Sequence, residues 1–145
     1  MYIDSDFIRE SIVSGFAQPS LPVTEDFVRQ TSLQREIVIA WAESMTRAGF
    51  VPVDDAPIPS PEEFTDQYTS FWNDPKTVCV MLIPDPDEVR RRIAERNGPF
   101  DDFLIGVVDR SLESIARLDL SDWHTVDSTG QSSEETAEAV VALVR

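Results

Sequence analysis

Three helix start signals constrain the fold of this chain more than any other feature of its sequence. They are Ser60-Pro61-Glu62-Glu63, Asp85-Pro86-Asp87-Glu88 and Ser132-Ser133-Glu134-Glu135. The first residue of each signal can cap a helix by accepting a hydrogen bond from an amide of the first turn. Proline fits the first helical position, and the acids favour the positive end of the helix dipole. The signals therefore predict helices that begin near residues 61, 86 and 133.

Apolar residues at helical spacing extend this prediction along most of the chain. They indicate helices over 5–17, from 24 or 32 to 48, over 61–72, after 86, over 100–118 and after 133. Gly106 weakens the helix over 100–118, so a strand, turn and helix over 103–118 remain an alternative. The second helix ends on Ala48-Gly49-Phe50, which is typical of a Schellman stop. Its predicted inward stripe is Leu33, Ile37, Ala40, Trp41, Ser44, Met45 and Ala48.

One segment, residues 77–83, has the composition of a strand. It is short, rich in β-branched residues and apolar on both faces, which is typical of a central strand. The candidate neighbours are residues 50–54 and the segment 123–126. Four prolines over 51–61 indicate an extended connector that cannot lie inside a sheet. We therefore expect a single compact domain over 1–145, mainly α, with five to six helices, this central strand and at most a small sheet, and with α+β as the alternative.

The charge of the chain is strongly acidic and unevenly distributed. It carries 27 acidic and 12 basic side chains, for a formal net charge of −15. Residues 51–75 hold six acids and no base, and residues 101–145 have a net charge of −7. Because nucleic-acid binding relies on clustered lysine and arginine, this balance argues against direct contact with nucleic acid. It favours a positively charged protein as the partner.

Each acidic block has a structural and a functional interpretation. Glu62 and Glu63 can serve the helix start, while the remaining acids maintain solubility. Alternatively, the blocks form a docking surface on which nearby aromatic side chains act as anchors, although most aromatics belong to the core. Asp102, Asp109 and Glu113 lie at spacings of seven and four, so they can share one exposed helical face. The candidate partner-binding residues are Asp54, Asp55, Glu62, Glu63, Asp66, Tyr68, Asp102, Asp109, Glu113, Asp122 and Trp123.

A locally basic segment separates the two acidic blocks and contains Arg90, Arg91, Arg92 and Arg96. One interpretation is a site for a phosphate or for a carboxylate-rich partner. The other is a solvated helix face, because Glu88 and Glu95 stand four and three residues from Arg92, where ion pairs form on a helix. We favour the solvated face.

The sequence contains no motif that carries chemistry. It has no glycine-rich phosphate loop, and one cysteine with one histidine cannot build a zinc site. Cys79 lies within the apolar run and is expected to be a buried, neutral thiol. A histidine-based general acid or base would have to be His124, but a loop histidine bonded to backbone or solvent is the simpler interpretation. We therefore predict that the protein is not an enzyme, with no catalytic residue, no metal site and no cofactor.

The termini and the apolar runs bear on the cellular compartment. Residues 1–6 lack the basic and apolar regions of a signal peptide. The longest apolar run, residues 78–83, is far shorter than the ~20 residues of a membrane helix. A single cysteine excludes a disulfide scaffold. These features predict a cytoplasmic protein that does not contact membranes.

In size, acidity, aromatic content and lack of a catalytic motif, the chain resembles bacterial immunity proteins of contact-dependent and polymorphic toxin systems. The resemblance implies a non-catalytic protein that binds and blocks a cognate toxin, such as a nuclease with a basic active-site cleft. It transfers no site residue, because the chain holds no diagnostic motif. The alternatives are an adaptor, chaperone or regulatory domain that recognises a basic peptide, and a small enzyme that uses His124 or clustered acids. The oligomeric state is left open.

Overall fold

The computed structural model describes residues 1–55 and 74–144, which fall into two compact units, residues 1–55 in the first and residues 74–144 in the second. The described residues form five helices and two small sheets. Each sheet consists of two short strands that run parallel to one another. The prediction of a mainly α fold with a small sheet is thus confirmed. The prediction of one domain over 1–145 stays a prediction. The helix expected over 61–72 lies outside the described residues.

The N-terminal unit consists of β1 (Tyr2–Ile3), α1 (Ser5–Glu10), α2 (Glu25–Arg47) and β2 (Val53–Asp54). Strand β1 pairs with β2 in parallel, with Tyr2 opposite Val53 and Ile3 opposite Asp54. Its buried apolar side chains are Ile3, Ile8, Val38 and Ala42. The core of this unit therefore lies where the two helices and β1 meet.

Helix α1 is shorter than the sequence predicts, because it ends at Glu10 rather than near residue 17. The side chain of Gln30 accounts for the difference. Its Nε2 donates to the carbonyl of Gly15 over 2.6 Å, and its Oε1 accepts from the amide of Ala17 over 2.8 Å. Gly15 has φ of 75°, which breaks a right-handed helix. A buried glutamine on α2 thus takes the amide of Ala17, which would donate to the carbonyl of Val13 if α1 continued.

Helix α2 begins and ends as the sequence predicts, but its buried face is rotated. Thr24 caps it by accepting from the amide of Phe27, and Gly49 has φ of 85° at the Schellman stop. The stripe prediction is wrong in part: Val38 and Ala42 are buried, whereas Trp41 is 44% exposed. Apolar residues occupy two adjacent faces of this helix, so their spacing alone does not decide which face turns inward.

The C-terminal unit consists of β3 (Val80–Leu82), α3 (Pro86–Arg96), α4 (Asp101–Ile115), β4 (His124–Val126) and α5 (Ser133–Leu143). Helix α4 runs through Gly106 without interruption, so the strand–turn–helix alternative is wrong. The buried apolar residues of the unit are Met81, Val108 and Val126. The elements of this unit that pack together are α3 with α4, β3 with β4, and β4 with α5.

The strand predicted over 77–83 is confirmed at Val80–Leu82, and β4 corresponds to the candidate neighbour at 123–126. The other candidate, residues 50–54, pairs with β1 instead. Within the described residues β3 has one neighbour, where the apolar run predicts two. Met81 is buried but Leu82 is 45% exposed, so β3 buries one face only.

Two of the start signals lie in the described residues, and both cap helices. The carboxylate of Asp85 accepts from the amide of Asp87, with Pro86 as the first residue of α3. Ser132 and Glu135 form a complete capping box at α5, in which each side chain accepts a hydrogen bond from the other residue's amide. These local patterns therefore position the helices of the C-terminal unit.

Candidate partner-binding surface

The predicted partner-binding residues that the structure describes fall on three segments of the chain. Asp54 and Asp55 lie at the end of β2, Asp102, Asp109 and Glu113 lie on α4, and Asp122 and Trp123 directly precede β4. The remaining four lie outside the described residues: Glu62, Glu63, Asp66 and Tyr68.

In the N-terminal unit, exposed apolar side chains surround the pair Asp54 and Asp55. Paired residues of a parallel ladder share a face, and successive residues alternate between faces. Tyr2 and Val53 therefore point outward together, and they are 61% and 56% exposed. Val51 is also exposed. We call these residues the β1–β2 surface: Tyr2, Val51, Val53, Asp54 and Asp55.

Asp54 lies on the inner side of this ladder, opposite the buried Ile3. Its carboxylate is half-buried, and its Oδ1 has no hydrogen-bond partner among the residues that the structure describes. Burial, followed by the charge of Asp55, raises the pKa of Asp54 to about 6. Near neutral pH the side chain is thus a largely ionised carboxylate that has lost part of its water, and its buried Oδ1 has gained no donor among the described residues.

Asp55 is the exposed member of the pair and is held by the neighbouring strand. The hydroxyl of Tyr2 donates to its Oδ1 over 2.8 Å, and the hydroxyl of Ser5 donates to its carbonyl oxygen over 3.4 Å. The hydrogen bond to Asp55 is the main reason that the pKa of Tyr2 rises to about 12. The phenol therefore remains a donor, and it orients one oxygen of Asp55 beside an exposed aromatic ring.

The three candidate acids on α4 are exposed, as the spacing predicts. However, neighbouring arginines offset the negative charge of two of these acids. Asp109 forms an ion pair with Arg90 of α3, and Glu113 lies 3.8 Å from the guanidinium of Arg117. Asp102 has no ion pair within the described ranges. The face therefore carries less net negative charge than its sequence suggests.

The two candidates before β4 have different environments. Asp122 is exposed, whereas Trp123 is half-buried and its amide donates to the carbonyl of Leu120 over 3.0 Å. Half-burial gives the indole a packing role in its own unit and leaves only part of the ring for a partner.

The arginines of α3 form ion pairs along the helix, as the sequence predicts, but Arg90 and Arg92 are half-buried rather than fully solvated. Glu88 accepts from Arg91 and Arg92, and Arg91 also donates to Glu95. Hydrogen bonds from Arg91 and Arg92, with the one from Arg91 the larger effect, lower the pKa of Glu88 to about 2. Arg92 also donates to the carbonyls of Ser128 and Gln131 over 2.7 and 3.1 Å. That connection to the loop before α5 is not visible in the sequence.

Two residues considered for catalysis, Cys79 and His124, are neighbours through the backbone at the start of the β3–β4 ladder. Cys79 is half-buried, and burial raises the pKa of its thiol, as expected of an unreactive cysteine. His124 is exposed, and its amide donates to the carbonyl of Cys79 as part of the β3–β4 ladder. Over residues 1–55 and 74–144, no three histidine, cysteine or acidic side chains group closely enough to hold a metal ion.

Sequence reasoning missed three residues of the β1–β2 surface, namely Tyr2, Val51 and Val53. One signal was available for the valines. Both valines lie in the proline-rich connector, directly before Asp54 and Asp55. The apolar residues there follow neither a helical nor an alternating spacing, so the sequence does not predict that their side chains are buried. For Tyr2 no local signal exists, because its partner Asp55 lies 53 residues away.

Two wider results complete the description of the chain. No helix within the described ranges combines the length and the apolar character that a bilayer-spanning helix requires. Comparisons with protein-family models, with curated proteins and with solved structures found no match to this chain.

Proposed function

We propose that this protein is an acidic, non-catalytic binding protein, an immunity protein that neutralises a cognate bacterial toxin by occupying a basic surface of it. The observation that carries the proposal is the environment of Asp54 and Asp55. No lysine or arginine of the described residues forms an ion pair with either carboxylate, and exposed Tyr2 and Val53 lie beside them. An apolar anchor beside an unpaired carboxylate suits a cationic protein surface.

Asp54 supports this proposal through its charge. Its side chain lies on the inner side of the ladder and its Oδ1 is buried, so it attracts an incoming arginine or lysine at short range while the exposed Asp55 makes the direct contact. The hydrogen bond from Tyr2 holds Asp55 in one orientation before the partner arrives, which reduces the ordering cost of binding. The surface thus combines charge, apolar contact and preorganisation.

The proposal includes a protein as the partner, a basic toxin domain such as a nuclease. It includes no catalytic step, no cofactor, and no direct contact with nucleic acid or membrane. The cytoplasm is the proposed site of action, in keeping with a single cysteine that forms no disulfide.

The principal test measures the affinity for the protein encoded by the adjacent gene, with purified components. Replacing both acids (Asp54→Asn with Asp55→Asn) should weaken binding by roughly tenfold or more, since close interfacial charge pairs couple strongly. The matched control replaces two exposed acids of the other unit (Asp102→Asn with Asp122→Asn) and should change the affinity by less than about twofold. Loss of affinity in the control variant instead would show that the interface lies in the C-terminal unit.

Salt provides a second readout of the same contact. Affinity should fall as the salt concentration rises, because mobile ions screen attraction between the acidic surface and the partner. The slope of that dependence should be smaller for the doubly substituted protein than for the original chain. If the original chain and the doubly substituted protein both bind tightly, and the affinity of neither depends on the salt concentration, the proposed electrostatic contact is contradicted.

The pKa of Asp54 adds a pH test. A cation bound beside this carboxylate favours its charged form, so the complex lowers a pKa that is about 6 in the unbound protein. Complex formation near pH 6 should therefore release protons, and affinity should decrease as the pH falls below about 6. Calorimetry in two buffers of different ionisation enthalpy measures the release, and Asp54→Asn should abolish it.

An adaptor or chaperone domain is the second candidate function. Exposed apolar side chains at the end of α5 favour it, since Val141 and Leu143 are 43% and 39% exposed. Replacing both by serine should abolish partner binding if this helix is the contact element. Under the immunity proposal, the same variant should bind the toxin with unchanged affinity.

A further inference from the structure

Strand β3 of the C-terminal unit has an unpaired edge. The carbonyl of Cys79 and the amide of Ile83 each form a hydrogen bond with β4 over 2.9 Å. Because the backbone groups of successive strand residues point to opposite sides, the amides and carbonyls of Val80 and Leu82 point away from β4. None of these four groups forms a hydrogen bond within residues 1–55 and 74–144. The edge can therefore accept a further strand.

The side chains along this edge are apolar and partly exposed. Residues 77–83 contain no charged residue and no proline, which are two devices that protect edge strands from pairing. Val80 and Leu82 lie on the face of β3 opposite the buried Met81. Leu82 is 45% exposed, and the preceding Val78 is 52% exposed. Strand β3 thus has the composition of a central strand in the position of an edge strand.

The outer edge of β4 differs in its charge. The backbone of Thr125 faces that edge, because the neighbouring residues of β4 bond to β3. Two exposed acids, Asp122 and Asp127, flank the strand. Two copies that met along this edge would bring like charges together, which costs free energy. Of the two edges, that of β3 therefore suits an identical partner.

We propose that β3 pairs with β3 of a second copy of this chain, in antiparallel orientation about a twofold axis. Directly opposed residues can exchange two hydrogen bonds, so placing Val80 opposite Leu82 of the second copy satisfies all four unpaired groups. The result is a four-stranded sheet of order β4-β3-β3-β4, in which the Val80 and Leu82 side chains of both copies share one apolar face. The same edge serves both copies, as a twofold interface requires.

The charge of the chain determines how salt should act on this dimer. Each copy carries a net charge of −15, so two copies repel one another, and salt screens that repulsion. Dimerisation through an uncharged edge should therefore strengthen as the salt concentration rises. The toxin contact proposed above should weaken under the same change. The sign of the salt dependence thus distinguishes the two associations, and the dimer does not rest on the toxin contact.

The test measures the mass of the full chain by sedimentation equilibrium at micromolar to millimolar concentrations, where a monomer–dimer equilibrium is expected. Val80→Pro removes an amide that points away from β4, so it leaves the β3–β4 ladder intact. It should weaken dimerisation by roughly tenfold or more, because each dimer loses two hydrogen bonds. The matched control, Thr125→Pro, removes the outward amide of β4 and should dimerise like the original chain.

Leu82→Lys tests the same edge without changing the backbone, and it decides the question if Val80→Pro does not fold. It places a charge on the proposed apolar face in both copies, so it should also weaken dimerisation by roughly tenfold or more. The matched control is Val51→Lys, which makes the same change of charge at a valine of the N-terminal unit that is 77% exposed. This control should dimerise at least as well as the original chain.

Hydrogen exchange followed by NMR locates the contact. Exchange of the Val80 and Leu82 amides should slow as the protein concentration rises, because the second copy covers them. Exchange at Met81, whose backbone faces β4, should not depend on concentration. Any of three results would overturn the proposal: a monomer at every concentration, a dimer that Leu82→Lys leaves unchanged, or a dimer that Thr125→Pro abolishes.

Discussion

Asp54 in the N-terminal unit and Glu88 in the C-terminal unit are both carboxylates beside other charged groups, yet their pKa values move in opposite directions. Burial and the charge of Asp55 raise the pKa of Asp54 to about 6, whereas hydrogen bonds from Arg91 and Arg92 lower that of Glu88 to about 2. In one unit the folded state disfavours the charge, and in the other it favours the charge. Glu88 thus has donors for its charge within the fold, whereas the Oδ1 of Asp54 has none among the described residues.

The same contrast appears in the other acids of the C-terminal unit. Asp101 accepts hydrogen bonds from Arg96 and from the amide of Gly98, and its pKa is lowered, chiefly by Arg96. Hydrogen bonds at a capping box and at a turn lower the pKa of Glu135 and of Asp127 as well. An acidic composition therefore does not by itself indicate an acidic binding surface, because many of these carboxylates already have donors.

The largest expected effect on stability concerns Arg92, which connects α3 to the loop before α5. Arg92→Met removes hydrogen bonds to the carbonyls of Ser128 and Gln131, so it should lower the free energy of unfolding by about 2 kcal/mol. Urea denaturation followed by circular dichroism measures the change. The control Arg117→Met removes only an exposed ion pair with Glu113 of α4 and should cost less than about 0.5 kcal/mol. If both variants lose the same free energy of unfolding, the hydrogen bonds from Arg92 to the two carbonyls contribute nothing to stability.

The second expected effect is an increase in stability, and it concerns the replacement of Asp54. Because its pKa is higher in the folded protein than the ordinary value of 3.8, its ionisation opposes folding. Stability should therefore fall as the pH rises from about 4 to about 6, and the penalty is complete above that range. Asp54→Asn should raise the free energy of unfolding by about 1 kcal/mol near pH 7, a value reduced for solvent screening of a half-buried group. Near pH 4 the gain should disappear.

A matched control for this prediction is Glu36→Gln, which neutralises an exposed acid of α2 in the same unit. It should leave the pH dependence of unfolding unchanged. Two results would contradict this prediction: Asp54→Asn does not raise the free energy of unfolding near pH 7, or it raises it equally near pH 4 and pH 7. Either result would mean that the carboxylate of Asp54 is solvated, so that its pKa does not differ from the ordinary value in the direction opposite to that of Glu88.

Features set by neighbouring residues could be predicted from the sequence. The capping box of Ser132 and Glu135, the proline at the start of α3 and the glycine after α2 each act within a few residues, so their patterns determine local geometry directly. The pair between Glu88 and Arg92 belongs to the same class, because one helical turn separates the two side chains.

Features set by distant contacts could not be predicted in this way. The early end of α1 depends on Gln30, and the connection made by Arg92 spans 36 residues. The parallel pairing of Tyr2 with Val53 joins strands of two residues, which are too short for an alternating pattern. Of the candidate surface, the sequence therefore supplied the acids Asp54 and Asp55 but neither their exposed neighbours nor the half-burial that distinguishes them.

The smallest expected effect concerns Glu113, an exposed acid that neighbours a cation on α4. Its carboxylate lies 3.8 Å from Arg117, and both side chains are 71% exposed, so solvent weakens their attraction. Glu113→Gln should therefore change the free energy of unfolding by less than about 0.5 kcal/mol, and the affinity for a cationic partner by less than about twofold. Urea denaturation and calorimetric titration measure the two quantities. A clear loss of affinity with unchanged stability would move the partner-binding surface to α4 and reverse the contrast between the units.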